Sequence, residues 1–408
     1  AVLPFRVNGY VIEDLIDWSA VPDDPIFRLV FPQPGMLHQK HLERVRDAVA
    51  RGMSDEELKE LAGSIQRSLN AYPAGQKKLN VPWFEGHPME GIQHKYRETV
   101  LFFPAAGQTC HSHCSYCFRW AQFSSPNDFR FEGHETRTLV RYLREHPEVT
   151  NVLVTGGDPL VMTAPLLRQY LEPLLDPSLE HLRSIRIGTK ATTFWPYRFF
   201  ADEDSDELLR LFEEVVAAGK HLAIMAHYSH PRELATGAAR KAVRKIRETG
   251  AVIRGQSPMV RGVNDDPDVW AELWRTQVSL GVIPYYTFLA RDTGAQHYFK
   301  IPLHRALAIF NRAYRQVSGL GRTVRGPVMS ATPGKVLVDG LTRMGSGRAF
   351  VLKFIQAREP SWVGRPFFAR FDAEAAWLDD LEPASGADEF FFQPRFRELM
   401  SGMNAAAS

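Results

Sequence analysis

The chain has 408 residues, a formal net charge of +2 from 49 Lys and Arg against 47 Asp and Glu, and 44% hydrophobic residues. This balance describes a globular, enzyme-sized chain and excludes a polyanion binder or a disordered protein. No apolar run is long enough to span a bilayer, so neither nucleic acid nor membrane is expected as a partner.

Taken in chain order, residues 1–97 carry helical patterns. One covers His41 to Ala50; another begins at Ser54, where Asp55, Glu56 and Glu57 make an acidic first turn ahead of Leu58 and Leu61. No strand is predicted in this region. From Val100 onward, strands and helices alternate. Strands are predicted at Val100–Phe103, Asn151–Val154, Ser184–Gly188, His221–Ala226, Val252–Ser257 and Pro284–Phe288. Helices are predicted at Leu166–Leu175, Asp206–Ala218, Arg240–Thr249, Val269–Leu280 and Leu303–Val317. Parallel neighbours need a crossover connection, so this alternation predicts an α/β fold built on a partial (β/α)6 barrel. The chain then divides into an N-terminal helical region (1–97), the barrel (98–320) and a C-terminal region (321–408). In the last of these, Phe390 to Phe392 reads as a buried anchor or a subunit contact of a homo-oligomer.

All three cysteines lie in one window, Cys110-His-Ser-His-Cys114-Ser-Tyr-Cys117. The CxxxCxxC spacing suits three thiolates that hold three irons of a [4Fe-4S] cluster and leave the fourth iron open. An open iron can bind and reductively cleave a small cofactor, whereas an electron carrier is usually fully ligated by protein. A Cys3His zinc site using His111 or His113 is the alternative, but structural zinc usually pairs two short knuckles, and the chain has only one. An odd cysteine number without an N-terminal signal pattern is expected of a reduced, cytoplasmic protein.

In barrels of this kind the reactive groups gather at the C-terminal ends of the strands. Gly156-Gly157-Asp158, Thr189-Lys190, His227 to His230 and Gln256-Ser257 all close predicted strands. Each has a bland reading: a Gly-Gly turn, a loop lysine, a histidine pair that lines a polar wall. His227 and His230 could pair on a metal, but no carboxylate and histidine set accompanies them.

The cysteine window continues into Phe118-Arg119, and with Gly156-Gly157-Asp158 it resembles the radical S-adenosylmethionine (SAM) superfamily. More narrowly, the chain resembles the lysine 2,3-aminomutase family through His94-Lys95-Tyr96, Val154 to Asp158, Ile185 to Thr189, His227 to Glu233, Gly255-Gln256-Ser257, Arg261 to Asp265, Pro284-Tyr285-Tyr286 and Pro333-Gly334-Lys335. The resemblance implies that Cys110, Cys114 and Cys117 hold the cluster and that Gly156, Gly157, Asp158 and Gln256 line SAM. Tyr116 is then placed against the adenine, or is a partly buried loop tyrosine. Arg119 matches the residue that grips the substrate carboxylate with its planar guanidinium; the bland alternative is a surface arginine. The family also uses pyridoxal phosphate (PLP), linked to a lysine that corresponds to Lys335, with Lys95 at its phosphate. The glycine run before Lys335 is shortened to one residue, which leaves a solvated loop lysine as the other reading and Lys190 as a weaker candidate.

Two aspartates bind the distal ammonium in the lysine-using members. Counting from Pro284 puts Arg291 near the first position, with Asp292 beside it, and Ala331 at the second. A guanidinium would repel an ammonium, so an acidic or neutral amino acid is expected in place of lysine. The family's interface-zinc cysteines are absent. The expected function is PLP-dependent 2,3-amino migration, started by a 5′-deoxyadenosyl radical from SAM and fed by an external one-electron reductant. The alternatives are a PLP-independent radical SAM enzyme and a non-catalytic Fe-S or zinc sensor.

Overall fold

A computed structural model describes residues 2–69, 79–120, 131–133, 136–291, 293–345, 347–384 and 386–406. A short hairpin of β1 (Trp83–Phe84) and β2 (His87–Pro88) precedes the main sheet. The main sheet has eleven strands, hydrogen-bonded in sequence order. They are β3 (Ile92–Tyr96), β4 (Thr99–Phe102), β5 (Asn151–Val154), β6 (Ser184–Thr189), β7 (His221–His227), β8 (Val252–Met259), β9 (Ile283–Leu289), β10 (Arg325–Ser330), β11 (Gly334–Met344), β12 (Gly347–Ala357) and β13 (Pro366–Arg370).

Strands β4 to β10 are parallel, each to the next. β3 pairs antiparallel with β4 at one edge, and β11, β12 and β13 follow β10 as an antiparallel run. Parallel strands in sequence order, with connecting helices on one face, are the arrangement expected of a partial barrel.

Alternation along each strand separates the two faces. Val100, Phe102, Val152, Val154, Ile185, Ile187, Ile224 and Ile253 join the main apolar core. Helix Thr136–Glu145 adds Leu139, Val140 and Leu143 to that core, and helix Gly237–Glu248 adds Ala242, Val243 and Ile246. Residues of the other parity, among them Leu101, Leu153, Thr155, Arg186, Gly188, Met225 and Gln256, line an interior cavity of about 350 Å³. One parity therefore builds the fold and the other builds the site.

Strands Asn151–Val154 and Ser184–Thr189 fall where the sequence predicts them, as does the cap at Ser54. Ser54 N donates to Glu57 Oε2 (2.8 Å) while Glu57 N donates to Ser54 Oγ (3.3 Å), a reciprocal box ahead of helix Asp55–Leu69. The N-terminal region differs from expectation in containing the β1–β2 hairpin and β3, which lays residues 92–96 against the edge of the main sheet. Phe390 and Phe392 are buried against Phe354 and Phe367 of the same chain, with ring centres 5.0 to 5.6 Å apart, so they anchor the C-terminal segment. Among the described residues no helix is long and apolar enough to cross a membrane.

Candidate active site

The cysteine loop leaves β4 and is braced from three sides. From the N-terminal segment, Arg6 Nη1 donates to Thr109 Oγ1 (2.9 Å) and to the Cys110 carbonyl (3.0 Å), while Arg6 O accepts from His113 N (2.8 Å). Ser115 N donates to Leu29 O (2.7 Å). The third brace is the end of β5, where a Cβ added to Gly157 would lie 2.2 Å from the Thr109 carbonyl oxygen. Only glycine permits that approach, and Asp158 N closes it with a bond to Thr109 O (2.7 Å).

Cys110, Cys114 and Cys117 are free thiols that all line the cavity. Burial raises all three, Cys114 to about 12, and neighbouring thiols add to the effect on Cys110 and Cys114. Among the described residues no three His, Cys, Asp or Glu converge on one metal ion. A cluster asks for something different, one thiolate per iron, and three neighbouring cysteines on a single cavity wall supply such a donor set.

Asp158 is 2% exposed and its carboxylate is fully engaged. It accepts from Leu160 N (3.0 Å), Thr189 Oγ1 (2.8 Å), Lys190 N (2.8 Å) and His111 Nε2 (3.2 Å), which ties the ends of β5 and β6 to the cysteine loop. Lys190 pairs with the fully buried Glu233 at 2.5 Å and bonds His227 O at 3.2 Å. The Lys190 ammonium thus already has a carboxylate partner within the fold. His227 is pushed down to about 3 by burial and by Lys190, so it is neutral, and its Nδ1 lies 3.0 Å from Tyr116 Oη. Tyr116 and Gln256 both reach the cavity; His230 instead caps the turn at Arg232.

Arg119 bonds Thr155 Oγ1 and lies 4.9 Å from the Phe103 ring centre and 5.2 Å from that of Phe118. Burial, with Arg291 nearby, lowers it to about 10. Arg291 sits 4.9 Å from the Phe118 ring centre, so one ring supports both guanidiniums. Asp292 lies outside the described residues.

Lys335 is the second residue of β11 and faces the same cavity. Its Nζ donates to Gln356 Oε1 (2.6 Å) and lies 5.2 Å from the ring centres of both Tyr96 and Tyr286. Burial lowers it to about 7, helped by Arg186 and Arg325, so near neutrality much of it is free amine. It is therefore no solvated loop lysine. The preceding Gly334 serves close packing, since a Cβ there would lie 2.4 Å from Gln356 O. Lys95 Nζ donates to Ala331 O (2.5 Å) and is driven well down by burial and by Arg358, Arg291 and Lys335. A buried amine of this kind, with cations beside it, fits an aldehyde cofactor that carries a phosphate.

Sequence reasoning missed Arg358, Gln356 and the bracing by Arg6. Arg358 contacts the backbone at Thr332 O (2.9 Å) and Leu79 O (3.3 Å), segments far apart in the chain, and no local pattern marks it.

No protein-family model matches the chain. A protein of Aquifex aeolicus described as "Putative L-lysine 2,3-aminomutase" is 32% identical over 377 residues, which is 92% of this chain and 87% of that protein. The L-lysine 2,3-aminomutase of Methanococcus maripaludis is 27% identical over 235 residues, 58% of this chain and 51% of its own length. A radical SAM methyltransferase structure from Sphaerobacter thermophilus covers 69% of this chain and 92% of its own at 14% identity with a TM-score of 0.40, too slight a likeness to bear on the site. The extended match to the Aquifex protein, which runs through the barrel and both flanking regions, means that the chain belongs to the lysine 2,3-aminomutase family of radical SAM enzymes.

Proposed function

We propose that the protein is an amino acid 2,3-aminomutase that uses a [4Fe-4S] cluster, SAM and PLP, and that its substrate carries an acidic side chain. The observation that carries this reading is the position of Lys335. A buried amine with a depressed proton affinity faces the same cavity as Cys110, Cys114 and Cys117. Bound there, the cluster and SAM would supply a carbon-centred radical and PLP would supply the carrier on which nitrogen migrates.

The chain's own residues divide the remaining work. Lys335 is the covalent anchor, held by Gln356 and walled by Tyr96 and Tyr286. Lys95, with Arg358 beside it, suits an anionic phosphate. Arg119 suits the substrate α-carboxylate, because a guanidinium can grip it bidentately. Arg291, on the same Phe118 ring, is positioned for a second carboxylate and would repel a distal ammonium. Tyr116, Gln256, Gly156 and Gly157 line the part of the cavity next to the cysteines, which suits SAM. Asp158 acts by positioning, since its oxygens are already spent on the loop ends.

The test is anaerobic reconstitution followed by incubation with SAM, PLP and a panel of amino acids. Glutamate should yield the β-amino isomer, and borohydride should fix PLP on Lys335. Cleavage of SAM without any fixed PLP would favour a PLP-independent radical SAM enzyme instead. Preference for lysine would remove the acidic-substrate reading while leaving the aminomutase intact.

A further inference from the structure

At the cavity floor, toward the end of the strands opposite the cysteine loop, three arginines meet around two tyrosines. Arg186 is the third residue of β6, Arg254 the third of β8 and Arg325 the first of β10. Arg254 Cζ lies 5.3 Å from the Tyr285 ring centre; Arg325 Cζ lies 4.8 Å from that ring and 4.6 Å from the ring of Tyr286. Arg186 Nε donates to Asn151 Oδ1 (2.7 Å) and is lowered by burial, with Arg254 adding to the effect.

Three guanidiniums held this close repel one another, and such an arrangement normally contains a carboxylate. Here none of the three makes an ion pair with any described residue. The tyrosine faces offset part of the repulsion through cation–π attraction, but beyond the bond from Arg186 Nε to Asn151 they do not engage the N–H donors at the guanidinium edges. Arg325 is exposed and Arg186 and Arg254 are half-buried, so solvent reaches this end of the barrel. Planar donors that converge without an acid form a site for a tetrahedral oxyanion.

We infer that Arg186, Arg254 and Arg325 form a phosphate-binding site at the floor of the barrel, separate from the cysteine end of the cavity. The ligand is free phosphate, since the PLP phosphate has cations of its own in Lys95 and Arg358; the chemistry of the two sources is the same and the experiment separates them. Occupation would neutralise cations that lie on Tyr286, the ring that also supports Lys335, and so would link the floor to the amine above it. The site itself does not require the aminomutase reading.

The full-length protein, prepared free of PLP, would be titrated with inorganic phosphate by calorimetry, with chloride at equal ionic strength as the control, and again after loading with PLP. Saturable phosphate binding is expected, weakened about tenfold or more in the double variant Arg254→Gln/Arg325→Gln. Binding that survives PLP loading assigns the site to free phosphate, and binding abolished by it assigns the site to the cofactor's phosphate. Phosphate affinity unchanged in the double variant would overturn the inference. Arg325→Gln alone, at an exposed position, serves if the double variant does not fold. Failure of PLP to attach at all, with phosphate binding intact, would count against the proposed function and leave this site standing.

Discussion

The two ends of the cavity solve the problem of buried charge in opposite ways. At the cysteine end the charges are matched: Lys190 has Glu233, Asp158 has four donors, and His227 is neutral. Around Lys335 the pattern is cation against cation, since Lys95, driven down first by burial, is pushed further by Arg358, Arg291 and Lys335, and Lys335 rests on a neutral glutamine. A matched site is a finished scaffold that can receive neutral or zwitterionic groups. An unmatched cationic site is held in readiness for anions, and the fold carries the electrostatic cost until they arrive.

Mutations at the two ends should therefore move stability in opposite directions. Lys190→Met would strand the buried Glu233 carboxylate, and a loss of about 3–5 kcal/mol is expected in denaturant unfolding. An unchanged midpoint would mean that the cysteine end is not held by this pair. Lys95→Met should do the reverse. It removes one of several neighbouring cations, so a gain of roughly 1 kcal/mol is expected along with weaker PLP binding. Destabilisation there would break the contrast between the two ends.

A finer test concerns Lys335 itself. Its amine should react with an acylating reagent with a midpoint near pH 7, because the neutral form dominates above the lowered value of about 7 and is lost as pH falls through it. Gln356→Glu would give the ammonium a counter-charge and move that midpoint upward. Mass spectrometry of the Lys335 peptide across a pH series reads both, and a midpoint near that of an exposed lysine in the unaltered protein would refute the readiness described above.

The strands between Val100 and Phe288 were legible because each is a short apolar run whose alternate residues enter the core, as in Asn151–Val154. β3 was not. Its Gln93 and Lys95 line the cavity, so the polar residues that make it useful also hide it as a strand. The cysteine window and Lys335 could be read from spacing and resemblance. At Gly156-Gly157-Asp158 the structure adds a role that neither reading named, since Gly157 and Asp158 brace the cysteine loop. Arg358 and Gln356 could not be found in this way, because their meaning lies in which distant backbone they meet.

The bracing of the cysteine loop also bears on the order of events during synthesis. The motif is local, eight residues long, yet Arg6 and Leu29 hold it from before, while Gly157 and Asp158 hold it from after. Asn8, which bonds Ser112 Oγ (3.2 Å), also reaches Phe194 O (2.7 Å). A nascent chain that has just exposed its cysteines has therefore not yet made the wall they stand on. That wall is complete only when the strand ending at Thr189 and the turn to Phe194 have left the ribosome, so an iron–sulfur cluster delivered earlier meets three mobile thiols, and one delivered later meets a formed receptacle.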